Sequence, residues 1–390
     1  MYLKLIRLLM AGPLLSVMLN VHAQSPVIIS KDIRLPQDTT ISNLLISSLN
    51  GFLAQKEHPA KNNSYVLKDD LPETAILLRE MQGIEQNATL NDINFYKPYL
   101  TNIIQLNSGD FIIQLSYIGQ SANTPVIRGS YRFMAKKQDD RFCFYSPLRQ
   151  QTATWKTKRV NYITCYYKDT INLAEVKSYK RTLDYYQIKL KTPTRPVRLY
   201  YCDNSSEVLE VLGVDYIANY NGIKNISRTV HENNIDLVLN GGYTTGTRFD
   251  PHDLFHERLR LVMNPDIINR PVDEGCAYLY GGSWGYTWLE IKDRFKKWLA
   301  ANPNPDWLTL YLSVANFEAG QKPLKVAYVL NALIAQKLEK EKGMPAVMKL
   351  LSCGKREQGD ANYFRTLEKL TGITKADFNI KMAVLVKSVD

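Results

Sequence analysis

The chain predicts an α+β protein built in two parts, and three features carry that prediction. A helix-periodic stretch is followed by period-two segments, the texture changes near residue 155, and the C-terminal part is a series of apolar-periodic segments bounded by proline and glycine. With 390 residues, the chain has room for two or three domains, and 45% hydrophobic residues suffice for a real core.

Taken in order, Lys4 and Arg7 precede the apolar run "LLMAGPLLSVMLNV", which Pro13 interrupts, and "VHA" ends at Ala23. This pattern predicts a secretory signal peptide over residues 1–23 and an exported product, periplasmic or extracellular. The run is too short and broken to span a bilayer, and no later stretch approaches a transmembrane length. Residues 24–150 form the first expected domain. "ISNLLISSLNGFLAQ", residues 41–55, has helical spacing. "DFIIQLSYIGQ" and "PVIRGSYRFMAKKQDDRFCFYSP" read as strands, with "KKQDD" a polar turn inside the second. A helix followed by a small antiparallel sheet resembles the cystatin or NTF2-like class, which implies a spacer or dimerisation module.

The second expected domain covers residues 155–390. "VNYITCYYKD", "PVRLYYCDN" and "NIDLVLNGG" read as strands, with "LAEVKSYKRTLDYYQIKL" and "SSEVLEVLG" as helices among them. The closing segments "PLKVAYVLNALIAQKLEKEKG", "PAVMKLLSCG" and "NYFRTLEKLTG" start or stop at helix boundary residues, and Thr374 and Asp377 stand at capping-box spacing.

The formal charge of +11 falls by two, to +9, when Lys4 and Arg7 leave with the signal. The densest basic run, residues 177–198, reads as a solvated helix face and a strand start, and an exported chain does not call for a nucleic-acid partner. A basic surface for cell-envelope polyanions stays open as a minor reading. The five cysteines form no C-x-x-C pair, so a cysteine zinc site is not expected; Cys165 and Cys202, both in strand-like segments, could meet as a disulfide.

The chemistry concentrates in "DPHDLFHERLRLVMNPDIINRPVDEGCAYLYGG", residues 250–282. His252 and His256 stand at i and i+4 on one helix face and can give two imidazole nitrogens to one metal. Glu274, early in a second helix opened by Pro271, is the natural third ligand, with Asp273 the fallback. Gly275 and Ala277 are small enough for this helix to approach the first closely. Tyr278, one turn after Glu274, could donate to a tetrahedral oxyanion, and Cys276 points to the opposite, core face. Only five histidines exist, and His22 falls in the signal; His231 and His58 have no companions and are expected at the surface. "AYLYGGSWGYTW" either lines a cleft or packs beneath a glycine-rich turn.

H-x-x-x-H followed by a glutamate in "DEGCAYLYGG" resembles the gluzincin zinc peptidases, in particular their peptidase MA-like domains, over residues 155–390. The resemblance implies Zn2+ on His252, His256 and Glu274 and a peptide or protein substrate. It places the general base at Asp253, where the family has glutamate. Aspartate is one methylene shorter, a retraction of about 1.5 Å, and a displacement of about 1 Å can cost a hundredfold in rate. The expected activity is therefore weak or absent, the alternative being a pseudo-peptidase that binds a peptide or protein without cleaving it. Asp253 also fits as N3 of a helix capped by Asp250 and begun by Pro251. Glu257 projects away from the two histidines, with Arg260 as its expected partner.

Overall fold

The computed structural model describes residues 25–220, 222, 226–242 and 249–387. The expected signal peptide lies outside the described residues. What is described is a mixed α/β structure, with helices and predominantly antiparallel sheets.

The first sheet begins with β1 (Ile28–Ile29), and two helices follow, α1 (Thr39–Ala54) and α2 (Leu71–Met81). Strands β2 (Lys97–Gln105), β3 (Phe111–Ser121), β4 (Thr124–Gln138) and β5 (Arg141–Tyr145) then form an antiparallel meander. The helix expected at residues 41–55 and the hairpin around "KKQDD" are both present. After α3 (Leu148–Gln151) come β6 (Lys156–Val160), β7 (Ile163–Tyr167), α4 (Leu173–Leu190), β8 (Val197–Cys202), α5 (Ser205–Leu212), β9 (Val214–Ile217), β10 (Ile226–Glu232) and β11 (Ile235–Gly241). The second sheet runs β10-β11-β8-β7-β6, with a parallel centre and antiparallel edges. Strand β9, although it lies beyond residue 150, joins the first sheet against β4.

Packing also crosses that point. One face of the second sheet, with Tyr200, Cys202, Leu237 and Leu239, shares a core with α1, α2 and the first sheet. Helix α2 is buried on almost every side, so "LPETAILLREM" shows no amphipathic stripe and sequence periodicity misses it. Its two buried acids are paired across the layers. Glu73 meets Arg149 at 2.9 Å and Arg198 at 2.8 Å, and Glu80 binds Arg228 and, at 2.9 Å, the Tyr220 hydroxyl.

The opposite face of the second sheet, with Cys165, Leu199, Tyr201 and Val238, packs against the helical half. That half comprises α6 (Pro251–Leu259), α7 (Arg270–Gly281), α8 (Trp288–Ala301), α9 (Trp307–Leu312), a short hairpin of β12 (Asn316–Glu318) and β13 (Leu324–Lys325), α10 (Val326–Lys342), α11 (Met344–Leu351), α12 (Ala361–Thr371) and α13 (Phe378–Lys387). The Thr374–Asp377 reciprocal cap forms as expected, at 2.7 and 3.1 Å. Among the described residues, no helix is long and apolar enough to cross a membrane.

Two expectations change. Cys165 pairs in register with Leu199, three residues from Cys202, so strand alternation puts the two cysteines on opposite sheet faces and all five thiols stay free. Gly275 does open a close approach, but to α10 rather than to the histidine helix: a Cβ there would stand 2.5 Å from Asn331 Cβ and 2.9 Å from the Ala332 nitrogen. The histidine helix is met by Gly281, whose Cβ would lie 2.6 Å from the His252 nitrogen. Gly275→Ala should therefore push α7 away from α10 and cost about 1–3 kcal/mol. Denaturant unfolding checks the cost, and an unchanged midpoint would contradict the close approach.

Candidate metal centre

Helix α6 begins as its sequence predicts. The Asp250 side chain caps it by accepting from the His252 amide at 2.9 Å, and Pro251 follows where a missing N–H costs nothing. Its underside is anchored by an ion pair. Arg258 and Asp236 of β11, both about 1% exposed, bond to each other, and His231 Nδ1 lies 2.8 Å from the same carboxylate. Burial opposes ionisation of Asp236, but the bonds from His231 and Arg258 hold its carboxyl below the usual range. His231 is thus half-buried in a structural network rather than a free surface residue, whereas His58 is exposed as expected.

Seating α6 on the sheet turns His252 and His256 toward α7. Their Nε2 atoms are 3.1 Å apart, and Glu274 Oε2 lies 3.5 Å from His252 Nε2; the donor atoms of all three residues fall within 4.8 Å of one another. Zinc bonds of about 2.0–2.1 Å at tetrahedral angles would set neighbouring ligand atoms about 3.3 Å apart, so the spacing fits the donor set. The other imidazole nitrogens are also committed. His256 Nδ1 lies 2.8 Å from Asp273 Oδ1, and His252 Nδ1 lies 2.7 Å from the Gly282 carbonyl, which can only accept. With Nδ1–H donating on each ring, both Nε2 atoms face the shared point as acceptors, the outer-shell arrangement that orients metal-binding imidazoles.

Two lone pairs 3.1 Å apart repel unless something positive lies between them. A proton can serve. Burial lowers the His252 pKa, but the bonds to Glu274 and the Gly282 carbonyl outweigh it and raise the value above the ordinary imidazole range. Burial likewise opposes ionisation of Glu274, yet the two histidines and Arg270 keep its carboxyl below the usual range. The cluster favours a cation at its centre, and a metal would displace the proton there.

The three expected ligands therefore converge. Asp273, the fallback ligand, instead orients His256. Asp253 is exposed and lines both depressions that flank the histidines. One, of about 580 Å3, lies between α6 and β10, and its walls include Glu257, Asn240 and Phe249. The other, of about 500 Å3, contains His252, His256 and Glu274. Asp253 returns no hydrogen bond to the Asp250 amide, so the reciprocal half of the expected capping box is not formed. Glu257 faces the first depression, away from the Glu274 side, and its expected ion pair with Arg260 does not form among the described residues.

Tyr278 is buried, with its ring 6.0 Å from that of His252 and 5.5 Å from that of Tyr328. It supports the centre from below and is absent from the lining of either depression. Cys276 is fully buried in the core, as its helix face predicts. The aromatic–glycine run lines neither depression; Tyr286 and Trp288 pack against the core, and Trp284 Nε1 donates to the Pro323 carbonyl at 3.0 Å. The feature sequence reasoning missed is the Gly282 carbonyl, a backbone atom without a side-chain signature. Asp273 carried a signal in the acidic pair with Glu274, whose two carboxylates diverge by about 100° around a helix and so reach different atoms.

Two measurements follow. Asp273→Asn should weaken zinc binding about 10–100-fold while leaving the fold intact, read by chelator competition and circular dichroism. Because the His252 proton must leave and its pKa is raised above the ordinary value of about 6.5, zinc affinity should begin to fall above that pH and drop by about tenfold per unit below it. A flat affinity from about pH 5 to 8 would contradict a histidine-based centre.

No family model matches this chain, and no curated protein matches its sequence.

Proposed function

We propose that the chain is an exported, gluzincin-like zinc peptidase whose general base is attenuated. The observation that carries the reading is the pair of imidazole Nε2 atoms 3.1 Å apart, each ring fixed by an acceptor on Nδ1, with the Glu274 carboxylate beside them. Structural zinc centres use four protein ligands, whereas three leave a position for water or substrate, the hydrolytic form. The helix and antiparallel meander of the first sheet support, separately, a cystatin or NTF2-like class for the N-terminal part.

His252, His256 and Glu274 would hold the ion. Zinc there would supply Lewis acidity toward a scissile carbonyl and an attacking water. Asp253, exposed and lining both depressions, would take the proton from that water and return it to the leaving amine. Its carboxylate is one methylene shorter than the family's glutamate, which weakens the proton transfer without touching the ligands. That short reach also supports the second reading, a pseudo-peptidase that holds a peptide or protein partner uncleaved.

Metal analysis of purified, zinc-replete protein should find stoichiometric zinc, lost in His252→Ala and in Glu274→Ala; trace zinc in the wild type would end the peptidase reading. Asp253→Glu should raise chelator-sensitive peptide cleavage by up to about a hundredfold, and Asp253→Asn should remove what activity the wild type has. A zinc-loaded Asp253→Glu protein that remains inert would favour the binding role.

A further inference from the structure

The depression on the Glu274 side is lined by three cations from three separate elements. Arg260 follows the last residue of α6, Arg270 opens α7, and Lys355 lies just beyond α11. Their convergence depends on the fold. The buried Asn269 side chain, at the N-terminus of α7, donates to the Gly354 carbonyl at 3.0 Å, and its amide donates to the Leu351 carbonyl at 2.8 Å. Those two bonds bring the segment carrying Lys355 to the mouth of the metal centre.

The acids in the same depression are committed to other work. Asp273 holds His256, Glu274 belongs to the ligand set, and Asp253 is the base position. Arg260, exposed and shared by both depressions, has no carboxylate within ion-pair distance among the described residues. Arg270 reaches Glu274 only at 3.6 Å, with its own side chain 80% exposed. Lys355 bonds the Asp266 carboxylate at 2.7 Å on an open surface, a pair that water screens and that a ligand can exchange.

We propose that this depression binds a carboxylate of the substrate beside the reacting bond, with Arg260 as the principal specificity residue and Arg270 and Lys355 at its rim. The substrate class is thus a peptide carrying either an acidic side chain or its free C-terminal carboxylate at that position. The inference rests on the metallopeptidase reading for where the reacting bond lies, but the recognition itself does not require turnover. Arginine suits the task because its planar fork grips a carboxylate with two hydrogen bonds.

The experiment uses fluorescent peptides on the full-length, zinc-treated protein, with binding read by anisotropy. Four peptide arms share one sequence: acidic side chains or their amide isosteres, each with a free or an amidated C-terminus. At least one carboxylate should bind about tenfold tighter than its amide counterpart, as expected for a charged hydrogen bond. Preference in the side-chain arms identifies an acidic-residue site; preference confined to the terminal arms identifies a carboxypeptidase-like one. Arg260→Gln should bring that ratio close to unity while zinc content and the circular dichroism spectrum stay unchanged, and Arg260→Lys should restore part of it. Equal binding of all four peptides, or a preference that survives Arg260→Gln, overturns the proposal. A wild type that holds no zinc yet keeps the Arg260-dependent preference would retain the carboxylate site and discard the peptidase reading.

Discussion

The whole site depends on how closely α7 can lie between its neighbours. One side of the helix touches α10 at Gly275, the other touches the start of α6 at Gly281, and a single added carbon would intrude at either contact. Held at that spacing, α7 presents two adjacent acids in two directions. Asp273 fixes His256, and Glu274 joins the histidines at the shared point. Slack of about 1 Å in α7 would leave the same residues present but misaligned, the usual way a site loses function without losing its parts.

The histidine helix is constrained as strongly from the opposite side. Its Arg258 is buried against Asp236 of the second sheet, and Tyr186 of α4 donates to the Pro251 carbonyl at its first turn, at 3.0 Å. A buried ion pair is a weak source of net stability, because desolvation offsets most of its attraction, but losing one partner leaves a charge stranded. Its role here is positional: α6 has one acceptable rotation on the sheet, and that rotation turns both imidazoles toward α7. The second sheet is itself fixed by its other face, where α2 and the paired acids Glu73 and Glu80 tie it to the first sheet. The N-terminal layer thus supports the floor beneath the centre as well as forming its own sheet.

The two depressions beside the centre share Asp253 and Arg260 and differ in the other charges that line them. The depression between α6 and β10 has Asp250, Asp253, Glu257 and the buried Asn240 among its lining, with Arg228 already held by Glu80. The one beside Glu274 is rimmed by Arg260, Arg270 and Lys355. Arg270 and Lys355 line only the depression beside Glu274, so that side carries the added cations.

Local chemistry was legible in the sequence wherever a side chain announced itself. The His252–His256 spacing, Asp250 and Pro251 at the helix start, Pro271 before Glu274, and the reciprocal Thr374–Asp377 cap all rest on interactions within one turn of helix, and each forms. Helix α4 and the strands around Cys165 and Tyr200 were readable because each buries one face or sits between turn residues. What tertiary structure decided lies beyond that range. Helix α2, buried all round, has no stripe to read, and β10 only becomes an edge strand once β11 lies beside it. Which neighbour Gly275 admits, why Cys165 and Cys202 face apart, that Tyr278 lies beneath His252, that the Gly282 carbonyl orients it, and that Lys355 reaches the site all depend on how distant segments stack. Sequence determined the His252–His256 pair because its spacing is a property of one helix; the partner that fixes each imidazole is a contact between elements, and only packing sets those.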